Sequence, residues 1–158
     1  MSTDRGRAAL YAAELAAFDG TSYETVVPIA ELQALARQVA AAPWWPHGDV
    51  AVVAARSDAA SSSTRQRGAA RPVIRLARPQ MTPATLVHEL AHVLAGLAHG
   101  HGPLFRRAYL DLAGFLWGEE PAGWLRDAYA AMGLDPGPRS WPTPPARRAG
   151  GLAPVPST

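Results

Sequence analysis

The sequence predicts an α+β domain: a small sheet packed beside a helix that carries an HExxH motif, with further helices around it. Three observations carry this prediction. Segments with apolar residues at helical spacing outnumber strand-like runs. Two runs read as sheet strands, VAVVA at 50–54 and PVIRLA at 72–77, and a further short run at 23–27 is β-prone. The motif His88-Glu-Leu-Ala-His92 lies in a segment with its own helix-start signals.

Each element follows from local chemistry. Residues 5–18, RGRAALYAAELAAF, are rich in alanine and free of breakers, and they set Leu10, Glu14 and Phe18 on one side of a helix that Asp19-Gly20 ends. Tyr23 to Val27 is a short β-prone run stopped by Pro28. Ile29, Leu32, Leu35, Ala36 and Val39 repeat at helical spacing over 29–41, and the Pro43-Trp44-Trp45-Pro46 cluster breaks that helix. Residues 56–71 are rich in Ser, Arg and Gly and read as a loop. In 72–77, Val73, Arg75 and Ala77 alternate with Ile74 and Leu76. Pro72 and Pro79 bracket that run and suit an edge strand.

Thr82 is a helix N-cap and Pro83 its first residue, and Leu86, Leu90, Leu94 and Leu97 form the apolar stripe. A second helix starts near Pro103 and runs to about Trp117, and a third fits 121–132. From residue 135 the chain is dense in proline and glycine. Residues 1–134 are therefore expected to form the domain, and 135–158 a disordered or loosely attached tail.

Composition narrows the chemistry. At 158 residues the chain suits one domain with a real core. It has no cysteine, so disulfides, thiolate zinc sites and cysteine nucleophiles are excluded, and a metal must take His, Asp or Glu. No apolar run approaches the ~20 residues of a membrane span, and no secretory signal is read, so a cytoplasmic protein is expected. The net charge is +2, with every basic residue an arginine. Absence of lysine beside abundant alanine fits codon bias, so the basic balance is weak support for a nucleic-acid partner.

On a helix, His88 and His92 sit one turn apart on one face, with Cβ atoms ~5–6 Å from each other. Both imidazoles can then reach one zinc ion. Glu89 lies ~100° around the helix. In zinc hydrolases that position puts a carboxylate beside the activated water, where it acts as general base. From this chain's composition a chance HExxH is expected at roughly 0.006 per chain, so the match stands above noise; the alternative is an ordinary helix whose polar face carries two histidines and a glutamate.

A catalytic zinc normally takes a third protein ligand. His99 on a continued helix would be ~16 Å along the axis, out of reach, so the chain must turn back after His92. In the HExxHxxGxxH pattern a glycine follows the second histidine by three residues. Here Ala95 holds that place and Gly96 follows it. His101 has better surroundings, with Gly100 and Gly102 on either side and Pro103 starting the next helix. His101 is the leading third ligand; His99, or an acid such as Asp111 or Glu119, is the alternative.

HELAH followed by GHGPLF resembles the SprT-like zincins, in which an HGPxF segment supplies the third histidine. The chain is also similar to a family of small actinobacterial HExxH metallohydrolases. The likeness lies in Arg7-Ala-Ala-Leu-Tyr11-Ala-Ala-Glu14, in Trp44-Trp45 ahead of a central strand, and in the helical segment from Trp124 to Leu134. It covers about residues 5–134. It implies a zincin-like fold, His88, His92 and His101 as zinc ligands, and Glu89 as catalytic base. Unlike the better-known SprT proteins, the chain has no cysteine zinc ribbon and a short His92–His101 interval.

The expected function is zinc-dependent hydrolysis, with a peptide or protein substrate. Tyr109, Arg106 and Arg107 are oxyanion candidates by nearness in sequence, against ordinary roles in packing and solvation. Strand 72–77, as an edge, would bind an extended peptide by β-addition. Arg56, Arg65, Arg67, Arg71, Arg75 and Arg78 against Asp58 suggest phosphate contacts and a DNA-associated protease, although a solvated loop explains them as well. A further alternative is a non-catalytic module with structural zinc. Trp44-Trp45 reads as a buried wedge rather than a binding patch.

Overall fold

A computed structural model describes residues 4–148. It is α+β, with five helices and a three-stranded mixed sheet. The helices are α1 (Asp4–Phe18), α2 (Ile29–Ala40), α3 (Pro83–Ala95), α4 (Pro103–Trp117) and α5 (Glu119–Ala131). The strands are β1 (Ala51–Ala54), β2 (Ser63–Arg65) and β3 (Val73–Leu76), in spatial order β1-β3-β2. β1 runs parallel to β3, and β2 runs antiparallel to it.

β3 is thus the central strand, not an edge. Pro72 and Pro79 flank it from outside and remove no donor from its ladder, and the Pro72 carbonyl accepts from Ala51 N–H at 2.9 Å. The edge on this side is β2, three residues within the segment whose composition reads as loop. Alternation along β3 sorts the faces: Ile74 and Leu76 are buried, Arg75 is exposed. Thr64 pairs with Ile74 and so shares the core-facing side, while Arg65 pairs with Val73 and shares the outer side.

α3 lies between the sheet and α4, which leaves it buried nearly all round from Ala84 to Ala95. Thr82 caps it as expected, its Oγ1 accepting from Thr85 N–H at 3.1 Å. Its stripe ends at Leu94, because Gly96 terminates the helix and Leu97 is exposed. α1 packs chiefly against α5; Leu10 and Phe18 are buried, Phe18 stacks on Tyr109 of α4, and Glu14 on the same side reaches His88 of α3. Tyr23 to Val27 is no strand: Ser22–Glu24 forms a 3₁₀ turn, and Val27 N–H makes a single bond to Met81 O. Trp44 and Trp45 are buried, Trp44 edge-on to Phe115, and Trp45 Nε1 donates to Gly48 O.

Residues 135–148 carry no helix or strand, yet they are not loose. Trp141 is buried, and its Nε1 and the Arg139 guanidinium both donate to Asp111. Proline density suppressed regular structure there, but specific side-chain partners on α4 hold the segment. Residues 149–158, the rest of the expected tail, lie outside the described residues. No helix among the described residues is long and apolar enough to cross a membrane.

Candidate metal centre

α3 brings His88 and His92 to one face, as the four-residue spacing requires. The chain then turns at Gly96, whose φ of 97° is open to glycine and whose N–H donates to His92 O. A 3₁₀ turn over Leu97–His99 and a second reversal at Gly100, φ 56°, carry His101 back over the helix. Gly102 keeps an ordinary φ of −72° as the N-cap of α4.

Three ring nitrogens converge. His101 Nε2 lies 3.1 Å from His92 Nε2 and 3.3 Å from His88 Nε2. One nitrogen from each of the three histidines falls within 4.8 Å of the others, so they could hold a metal ion. Four-coordinate zinc with Zn–N of ~2.0–2.1 Å sets its nitrogens roughly 3.3–3.4 Å apart, close to both spacings. The donor set fits as well, since neutral imidazole is a common metal ligand. His99 is elsewhere: it is exposed, and a Cβ on Gly96 would sit 3.1 Å from its ring. Asp111 is engaged by Arg139 and Trp141, and Glu119 faces Arg126 in the exposed pair nearest it.

The surroundings orient these rings. His88 Nδ1 donates to the Glu14 carboxylate, at 2.9 and 3.1 Å to its two oxygens. That bond fixes the tautomer and leaves Nε2 for the cluster. Phe105, fully buried, packs its ring against all three imidazoles, with centroids 4.9, 4.6 and 5.0 Å from His88, His92 and His101. Tyr11 stacks on His88 from the solvent side and meets His101 edge-on.

Burial, with repulsion from His88 and His101, lowers the His92 pKa to about 3. Burial, then His88 and Arg7, lowers His101 to about 4. Both are therefore neutral at ordinary pH, the form that ligates. Burial also pushes His88 down, but the charge and hydrogen bond of Glu14, with Glu89, prevail and raise it.

Glu89 is nearly buried, and its Oε2 accepts from Thr64 Oγ1 at 2.6 Å. It lines a cavity of about 260 Å³ with Tyr11, Ser63, Thr64 and the three histidines. A neighbouring pocket of about 390 Å³ shares Tyr11, Ser62, His88 and Glu89 and extends toward Glu14, Glu24 and Thr85. The site thus opens into a cleft between α1 and β2.

The three oxyanion candidates do not face that cleft as free donors. The Tyr109 hydroxyl donates to Ala84 O in the core. Arg106 bonds the carbonyls of His101 and Asp135, and Arg107 that of Gly137. Sequence reasoning missed Glu14, Tyr11 and Thr64 as site residues. Glu14 had a signal, an acid on the apolar side of α1 between Leu10 and Phe18. Thr64 had none. Compared with known protein families, curated proteins and solved structures, the chain matches none.

Proposed function

We propose that the chain is a zinc-dependent hydrolase of zincin-like type acting on a peptide or protein. The observation that carries this reading is the convergence of three histidine Nε2 atoms beside Glu89 at the floor of an open cleft. When bound, zinc supplies the Lewis acidity that acidifies water and polarises a carbonyl. His88, His92 and His101 would hold it. A closed structural site needs a fourth ligand, and among the described residues the group contains three, which favours the catalytic reading over the structural one.

The remaining chemistry belongs to the chain. Glu89 accepts the proton of the attacking water. With Oε2 occupied by the Thr64 hydroxyl, Oε1 is the free acceptor. Tyr11 is the phenol on the open side of the cluster and replaces Tyr109 as the candidate donor to developing charge. β-addition moves from β3, which is central, to the free edge of β2, where Ser63 and Thr64 line the cleft. Glu89→Gln tests the reading: zinc content should stay unchanged while hydrolysis of a fluorogenic casein falls by about 10²–10⁴. Unchanged hydrolysis would remove Glu89 as base.

A second reading has its own observation. Arg65, Arg67, Arg71 and Arg75 line one pocket of about 400 Å³ on the outer face of the sheet, and among the described residues only Arg71 is paired there, with Asp49. Such a surface suits phosphates and a DNA-associated protease. Binding to duplex and single-stranded DNA should weaken steeply with salt and be lost in the Arg65→Ala, Arg67→Ala, Arg75→Ala triple variant; salt-insensitive binding would exclude it.

A further inference from the structure

The third histidine is held from outside the site. Arg106, in the first turns of α4, reaches two backbone carbonyls at once. Its Nη1 donates to His101 O at 3.1 Å, and its Nε donates to Asp135 O at 2.9 Å. Asp135 opens the segment 135–148, which then follows α4 in the direction of the helix. Gly137 N–H donates to Pro103 O at 2.9 Å, and a Cβ on Gly137 would stand 2.9 Å from Pro103 Cβ. The backbone therefore rests directly on the start of α4, two residues beyond His101. Arg139 and Trp141 fasten the middle of the segment to Asp111. Arg147 N–H donates to Gly114 O near the far end.

We propose that residues 135–148 are a strap that sets His101 for metal binding, with Arg106 as the positioning residue between strap and ligand. This rests on the reading of His88, His92 and His101 as metal ligands. The physical need is specific to His101. His88 and His92 are placed by a buried helix, whereas His101 follows a glycine with φ 56° on an irregular loop. A ligand on a free loop loses conformational entropy when the metal binds. The guanidinium bridge removes that freedom at folding. Arg107 supplies a natural control: its Nε donates to Gly137 O at 2.7 Å, so it holds the same strap without a bond to the His101 loop.

The test is the zinc dissociation constant of the full chain, measured by competition with a chromophoric chelator, with circular dichroism and thermal unfolding of every variant. Arg106→Ala should weaken zinc by about 10- to 100-fold, as loss of a group that orients a ligand typically does, with the fold retained. Gly137→Ala, which pushes the strap off Pro103, should weaken it in the same direction. Arg107→Ala releases one tie of the strap but leaves the Arg106 bridge to His101 in place, so its loss should be clearly smaller than that of Arg106→Ala. A folded Arg106→Ala with wild-type affinity overturns the proposal. So does an Arg107→Ala loss equal to that of Arg106→Ala, which would mean general loosening. If Arg106→Ala does not fold, a folded Gly137→Ala with wild-type affinity is the overturning result. Wild-type protein that binds no zinc would instead remove the metal reading itself, and this inference with it; zinc binding with no effect of Arg106→Ala removes the inference alone.

Discussion

The two sides of the histidine cluster are built differently. His88 and His92 stand on α3, a helix buried nearly all round and capped by Thr82. His101 stands on a turn between Gly100 and Gly102, half-buried and tied by the Arg106 bridge. The helical pair is fixed by the backbone ladder, and changing its geometry means unfolding α3. The loop histidine is fixed by a few contacts that can be removed singly. The helix thus fixes two of the three histidines, and the loop and its surroundings set where the third stands.

That contrast can be sharpened on the helix side first. Glu14→Gln keeps a hydrogen-bond acceptor for His88 Nδ1 but removes the charge that raises the His88 pKa. Zinc affinity should fall by about 10- to 100-fold. The pH dependence should change as well. Ligation would need His88 Nε2 free of a proton, so in wild type zinc binding should displace a proton below the raised His88 pKa, and affinity should fall as pH drops through it. His92 and His101, at about 3 and about 4, contribute nothing until far lower pH. In Glu14→Gln the decline should therefore begin at lower pH than in wild type. Zinc titrations between about pH 5.5 and 8 in both proteins check this, and an unmoved pH profile would contradict it.

On the loop side the effect should be smaller. Gly100 has φ 56° and ψ −134°, and open space where a Cβ would lie. Gly100→Ala therefore meets backbone strain alone, of order 1–3 kcal/mol. Part of it relaxes by shifting the loop, so zinc should weaken by up to about tenfold, with the stability of α3 unchanged. Equal losses of zinc and of thermal stability would show that the loop is not separable from the helix.

Local chemistry made the helix side legible. Thr82, Pro83 and the four-residue histidine spacing are short-range signals, and the structure has α3 where they put it. Gly100 and Pro103 likewise marked His101, although Gly102 keeps an ordinary φ, and the structure brings His101 and not His99 to the pair. What stayed hidden depends on distant partners. Glu14 is 74 positions from His88, and nothing local says they meet. Thr64 lies in a three-residue strand whose sequence reads as loop, and β3 looked like an edge because its flanking prolines fall just outside the ladder. The 135–148 segment has the composition of a disordered tail. Its order comes from Asp111, Arg106 and Arg107 on α4, which composition does not reveal.

The most direct measurement is zinc per chain in the purified full-length protein, with His101→Ala and His99→Ala alongside. About one zinc per wild-type chain is expected, lost in His101→Ala and kept in His99→Ala. Wild-type protein that holds no zinc after reconstitution, or a His101→Ala protein that holds as much as wild type, would contradict it.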